Sequence, residues 1–402
     1  MKGVAARVKR LIAAIRHLPF LRSISRLGWI TTALGLAAWV GAWALGWKEL
    51  AIVAAACLVA VVGSLLFTLG KSNYTVTLDL RPKRVTVGER ATGQMLVVNS
   101  SGRRQLPGRM ELVVGNARAE FHIPTLANGA SHDELFSVPT QRRAIIPVGP
   151  VLSVKGDPLG LSRVEKAWTG IEDLYVHPRI SPLDRLGSGL LKDLEGQTTN
   201  DLSHSDVAFH TLREYVPGDD RRHVHWKTSA RLGKLMVRQF VDTRRSHLAL
   251  ILSTNAADYL NDDEFELAIS LAASLGVRTL RDEQTCAVVA GAKALASAHG
   301  QQLLDGFSGV AMNGTEGGLI PGALQANRTA ANASIVAFAC GSKVGLPEVR
   351  AAASRLACEA RIVVLRADLE GELSYRPVGT TAVINVPALD EFAQGLWRAT
   401  QV

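Results

Sequence analysis

Residues 213–231 read REYVPGDDRRHVHWKTSAR, a stretch with three carboxylates, four arginines, two histidines, a lysine and a tryptophan. Three kinds of chemistry use such residues. Carboxylates with imidazoles hold the divalent metal of a hydrolase, here Glu214, Asp219, Asp220, His223 and His225. Clustered cations beside an aromatic ring track nucleic-acid phosphates. Arginine forks facing carboxylates form bidentate ion pairs. Spacing opposes the first, because on a helix His223 and His225 project about 200° apart, and no nucleophile–base pair accompanies them. The Asp219-Asp220 pair, set directly before Arg221 and Arg222, opposes the second. The third fits best, with Glu214, Asp219 and Asp220 pairing with Arg222, Arg231 and Arg238. Such a network is either a clasp between domains or a docking face for another protein.

The elements that would position these side chains are legible around them. Pro217-Gly218 is a turn, and Asp219 or Asp220 is placed to cap a helix through DRRHVHWKTSAR. On that helix Arg222 and Trp226 would share a face, where a guanidinium can stack on an indole. After a Leu232-Gly233 turn, LGKLMVRQF alternates like a strand.

Charge and hydropathy divide the rest of the chain. The 402 residues carry a formal net charge of +9. Residues 1–26 hold seven basic side chains and no acid, and removing these seven from the net +9 leaves +2 for the remainder. The excess is therefore local. Residues 27–47 and 50–70 are two uncharged apolar runs of 21 residues, each long enough to span about 30 Å of hydrocarbon as helix. Only Lys48 and Glu49 separate them, so a tight hairpin follows. Trp29 and Trp47 stand at interface positions, and Ala38, Ala42 and Gly46 would let the second helix approach closely. Basic residues flank both outer ends, which places both flanks and all the soluble mass in the cytoplasm. Val4, Val8, Leu11, Ile12 and Ile15 among basic residues read as an amphipathic helix on anionic headgroups. The four cysteines, Cys57, Cys286, Cys340 and Cys358, show no CxxC spacing and read as buried free thiols of a reducing compartment.

Residues 74–180 contain two alternating runs, YTVTLDL and MLVVN, and further short runs rich in β-branched residues, MELVVG, EFHIPTL and ELFSVPT, punctuated by turn residues, which predicts an immunoglobulin-like antiparallel sandwich. From His247 the pattern changes to near-continuous apolar strands (HLALILS, TCAVVAG, SIVAFAC, RIVVLRA, TTAVINV) alternating with helices, which predicts a parallel sheet covered on both faces. Its first strand ends in LSTNAAD, where a von Willebrand factor A domain carries a metal-binding Asp-x-Ser-x-Ser. Ser253 stands at the acid's position, Asn255 and Ala257 at those of the serines. A hard cation wants carboxylate oxygens, so the A-like fold is expected without its metal, and no metal or other cofactor is expected elsewhere. Asp258 is the one acid near enough to swing in.

The central motif resembles the signature of the domain-of-unknown-function 58 family: Arg213, Glu214, Tyr215, Pro217, Gly218, Asp219, Asp220, Arg222, Trp226, then Ser229-Ala230-Arg231, then Leu235, Val237, Arg238 and Phe240. Upstream, Gly156-Asp157-Pro158-Leu159-Gly160-Leu161 and Val176-His177-Pro178 resemble two further family motifs. Many relatives carry an acid where His225 stands, and some keep the aspartate that is Ser253 here. The resemblance implies a multi-domain layout: residues 1–26 as a basic segment, 27–70 as a transmembrane hairpin, 71–180 as the sandwich, 181–245 as the signature segment and 246–402 as the A-like (Rossmann-type) α/β domain. It also implies a MoxR-type AAA+ ATPase as partner. The expectation is a membrane-anchored adaptor without catalytic residues, with a metal-dependent hydrolase or a nucleic-acid-binding basic patch as the alternatives.

Overall fold

The computed structural model describes residues 23–68, 73–183, 209–216, 224–240, 247–357, 360–379 and 381–400. The expected amphipathic segment lies outside them up to residue 22. Contacts divide the chain into two units, Met1–Val176 and His177–Val402.

The first unit opens with α1 (Arg26–Leu45) and α2 (Lys48–Thr68). Both are apolar all round, and both are long and apolar enough to cross a membrane. At about 1.5 Å per residue, the 20 residues of α1 span roughly 30 Å. Ser25 caps α1, and Gly46, in the left-handed region at φ 69°, ends it. The turn is thus Gly46-Trp47, while Lys48 and Glu49 open α2, where an acid suits the positive helix end. The close approach is made partly by Gly35: a Cβ there would lie 3.0 Å from that of Cys57. Trp29, Trp39 and Trp43 are exposed on this hairpin, and exposed apolar surface of this kind marks a membrane or protein contact.

Nine strands follow: β1 (Tyr74–Leu80), β2 (Arg84–Thr86), β3 (Ala91–Asn99), β4 (Gly108–Val114), β5 (Ala117–Ile123), β6 (Ser131–Val138), β7 (Ala144–Gly156), β8 (Arg163–Ala167) and β9 (Glu172–His177). They form a three-stranded sheet ordered β1-β3-β6 and a six-stranded one ordered β2-β9-β7-β4-β5, with β8 paired to β7. All pairings between the register-matched strands are antiparallel. Alternation along β3 turns Ala91, Met95 and Val97 inward, and these meet Met110, Leu112, Val148, Val151, Leu174 and Val176 from the other sheet. A helix-plus-β-sandwich layout results.

The second unit begins with a strap, residues 177–183, in which His177 Nε2 lies 2.7 Å from Asp305 Oδ1 and the Ser181 amide donates to Ser274 Oγ at 2.9 Å. A small hairpin of β10 (Phe209–Glu214) and β11 (Met236–Phe240) holds α3 (Trp226–Leu232) between its strands in sequence. Then come β12 (His247–Leu252), α4 (Asp262–Arg281), β13 (Thr285–Ala290), β14 (Lys293–Leu295), α5 (Gly300–Ser308), α6 (Leu319–Thr329), β15 (Ile335–Cys340), α7 (Leu346–Ala353), β16 (Arg361–Ala367), β17 (Ser374–Val378), β18 (Thr381–Val386) and α8 (Phe392–Thr400). The sheet order is β14-β13-β12-β15-β16-β18-β17; its core strands are parallel, and the two edge strands, β14 and β17, are antiparallel. One apolar layer joins α4, α5 and α8 to one face, and a second joins α6 and α7 to the other. This is the doubly covered α/β sheet that near-continuous apolar strands require.

Candidate functional site

The signature forms a compact turn around its serine. Strand β10 pairs with β11, Glu214 opposite Met236, and the Tyr215 amide donates to the Leu235 carbonyl at 2.9 Å. Val224 bridges Val237, both side chains buried. His225 is the N-cap of α3, its Nδ1 accepting from the Thr228 amide at 3.2 Å. The helix therefore starts at Trp226. This corrects the longer helix with an aspartate cap, and with it the shared helical face of Arg222 and Trp226, because Val224 is extended. Ser229 is buried and joins helix to strand: its hydroxyl donates to the His225 carbonyl at 3.0 Å and accepts from the Met236 amide at 2.9 Å. Gly233 ends α3 in the left-handed region at φ 68°, which the reversal into β11 requires.

Outside this stitch several described residues of the module are open to solvent. Trp226 is 65% exposed, and Val216, Leu232 and Leu235 are exposed as well. Lys227 and Arg231 point outward beside them. Glu214 pairs with Lys234 Nζ at 2.8 Å, with both side chains largely in water, so solvent screens the pair. Pro217, Gly218, Asp219, Asp220, Arg222 and His223 lie outside the described residues, and of Arg213 and Arg238 only the backbone, paired across β10–β11, is described.

A charge network that sequence reasoning missed sits in the sandwich. Glu111 on β4 is 2% exposed, accepts from Arg163 Nη2 on both oxygens at 2.7 Å, and pairs with Arg118 at 3.1 Å. Glu165 joins the same arginines. Its hydrogen bond from Arg163, acting against burial, holds the Glu165 carboxyl below the usual range. The only signal was a lone acid inside MELVV.

At the carboxyl end of β12, polar groups satisfy one another. Asp258 does reach Ser253: its Oδ2 accepts from the Ser253 hydroxyl at 2.5 Å and its Oδ1 from Asn255 Nδ2 at 2.8 Å. Tyr259 OH donates to the Ser253 carbonyl at 2.5 Å, and burial pushes that phenol well above its ordinary pKa. Glu264, buried, accepts from the Leu260 amide at 2.8 Å and from the Ser342 amide. A Cβ on Gly341 would meet the Asp258 carbonyl, so this crevice is closed by backbone. Among the described residues no group of three or more His, Cys, Asp or Glu side chains could hold a metal ion. A shallow depression beside it is lined by Ala290, Lys293, Asn313, Gly314, Thr315 and Glu316.

The upstream motif GDPLGL is a socket for the helical hairpin. Asp157 Oδ1 accepts from the Ser162 amide at 2.6 Å and from its hydroxyl at 2.9 Å, and Oδ2 accepts from the Leu159 amide at 3.0 Å. Burial works against ionisation of Asp157, but these hydrogen bonds outweigh it and hold the carboxyl below its usual range. The loop so shaped accepts from the Ser25 amide (Leu161 carbonyl, 2.9 Å) and the Ser25 hydroxyl (Gly160 carbonyl, 2.6 Å). Ser162 Oγ also lies 2.8 Å from the Ser64 carbonyl of α2. Gly28 is obligatory there, since a Cβ would come within 2.2 Å of the Leu161 carbonyl oxygen.

Residues 211–302 match the family described as Protein of unknown function DUF58. The chain is 34% identical over 124 residues to the "Uncharacterized protein YeaD" of Bacillus subtilis (strain 168), a match spanning 30% of this chain and 29% of that relative. Among solved structures, the CARDB domain of the PF1109 protein from Pyrococcus furiosus aligns at 14% identity over 26% of this chain and 93% of that one, TM-score 0.21. A beta-glucosidase from Listeria innocua aligns at 12% identity over 27% and 17%, TM-score 0.20. Likenesses at these TM-scores carry no argument.

Proposed function

We propose, from the match of residues 211–302 to the DUF58 family, a membrane-anchored, non-enzymatic adaptor of that family whose signature module docks another protein. The observation that carries this reading is the exposure of Trp226, Val216, Leu232 and Leu235 around the buried Ser229, whose hydroxyl is bonded on both sides. Tryptophan anchors are among the residues that dominate protein–protein affinity, and exposed large apolar groups mark contact surfaces. Lys227 and Arg231 favour an acidic rim on the partner. The family resemblance supports a MoxR-type AAA+ ATPase as that partner.

In the same reading the hairpin of α1 and α2 spans a bacterial inner membrane with both flanks cytoplasmic, which the basic residues before and after it support. The sandwich is read as immunoglobulin-like. The sheet of β12–β18 is read as von Willebrand factor A-like, supported by its strand order with antiparallel β14 at one edge and by the polar turn after β12. There the Ser253–Asp258–Asn255 bonds take the place a cation would hold in such a domain.

The test is co-purification of the solubilised full chain with a MoxR-type ATPase. Retention of the ATPase, reduced about tenfold or more by Trp226→Ala with thermal unfolding unchanged, is the expected result, the size of a hot-spot loss. No retention, or equal retention by the variant, sinks the proposal.

A further inference from the structure

The strand registers define one end of the sandwich, and it is the end that the helical hairpin occupies. Tyr74 pairs with Asn99, and Val98 with Ser131, so these residues share an end of the three-stranded sheet. Gly108 pairs with Ile123, and Arg109 with Val154, which puts the exit of β7 at the matching end of the other sheet. Three loops cluster there: 100–107, 124–130 and 157–162. The third bonds to Ser25, one residue before α1, and to Ser64, within the last turns of α2. A hairpin that crosses a bilayer therefore sets this end against the membrane surface.

The chemistry of these loops fits that position. Loop 100–107 reads SSGRRQLP and loop 124–130 reads PTLANGA, without an acid between them. Arg103 and Arg104 are exposed and form no ion pair among the described residues. Leu106 is 78% exposed and Leu159, at the tip of the socket loop, is 65% exposed. The acid of this end, Asp157, is turned inward onto Ser162 and Leu159. Arginine beside exposed leucine is the composition of a surface that binds anionic headgroups while its apolar tips enter the acyl boundary.

We propose that this end of the sandwich is a lipid-binding face: Arg103 and Arg104 contact phosphates of an anionic bilayer, and Leu106 and Leu159 insert at the headgroup–acyl boundary. The face rests on the membrane-anchor reading and adds a second, peripheral contact to it. Its consequence is orientational, because a domain held by its socket and by its loops cannot swivel freely above the membrane.

The test uses the full chain in bilayers of phosphatidylcholine, alone or mixed with phosphatidylglycerol. A single cysteine is introduced as Leu106→Cys, Leu159→Cys or, as a control, Leu135→Cys, which is 75% exposed partway along β6. Each is labelled with an environment-sensitive fluorophore. Burial raises the thiol pKa of Cys286 and Cys340 to about 12, so both stay unreactive, and the unsubstituted chain supplies the remaining background. The expected result is a blue shift, and quenching by lipids spin-labelled near the glycerol, at positions 106 and 159 but not at 135. Arg103→Ala with Arg104→Ala should lower quenching at 106 in the anionic bilayer to its phosphatidylcholine level. Labels at 106 and 159 as water-exposed as at 135, in a chain whose hairpin resists alkaline extraction, overturn the lipid face alone. Release of the chain by alkaline extraction overturns the membrane anchor and this face with it.

Discussion

Ser229 is the buried polar side chain in the described part of the signature. The hydroxyl closes α3 against β11 by bonding both the His225 carbonyl and the Met236 amide, and it is buried while Glu214, Lys234 and Arg231 are in water. Ser229→Ala leaves both backbone groups without that partner, at a cost of about 1–3 kcal/mol. The expected outcome is faster amide exchange at Met236 and along β11, with exchange in β12–β18 unchanged; equal protection in variant and parent would show that the serine is not the stitch. One expectation at this scale was reversed by geometry: His225 caps the helix that an aspartate was expected to cap. A buried carboxylate held by two arginines, Glu111, lies in the sandwich, where no cluster in the sequence points to it.

At the scale of elements, most strands follow from composition. Alternation located β1 and β3, short β-branched runs located β4, β5 and β6, and apolar runs located β12, β13, β15, β16 and β18. Strand β7 was not legible, because Pro147, Pro150 and Gly149 (φ 104°) break its pattern. It forms because β4, β8 and β9 pair along it. The short amphipathic helices α5 and α6 were missed for a related reason: GQQLLDGFS and LIPGALQANRT are weak alone and acquire order by packing on the sheet and on α4. The socket loop and α1 make one prediction together. Gly28→Val would place a Cβ within 2.2 Å of the Leu161 carbonyl oxygen and add two methyl groups to the same crowded contact. Overpacking of that kind costs about 1–3 kcal/mol, so the hairpin should disengage from the sandwich. Limited proteolysis between α2 and β1 should accelerate in the variant, and an unchanged cleavage rate would show that the socket is loose in the parent as well.

For the molecule as a whole, the decisive quantity is the distribution of charge about two apolar helices. Basic residues lie on both outer flanks, and only Gly46-Trp47 joins the helices. Reporter fusions at the C-terminus and after Val176 should both report the cytoplasmic side, and a reporter inserted at the Gly46-Trp47 turn the opposite one. Any fusion on the wrong side would refute the two-span topology. The units Met1–Val176 and His177–Val402 meet the chain boundary inside the Val-His-Pro motif, whose histidine belongs to the strap on α5.

The sequence by itself determined what depends on local pattern. Length and apolarity mark two helices able to cross a membrane, the periods of two and of near-continuous burial separate the sandwich from the α/β sheet, and the signature lies within residues 211–302, which match the DUF58 family. Tertiary structure alone decided which polar groups meet. Glu111 lies 52 residues from Arg163, and Ser162 lies 98 residues from Ser64. Nothing within a window of a few residues encodes such a partner, since a side chain's charge is visible in the sequence but the direction from which it is neutralised is set by how distant strands and helices pack.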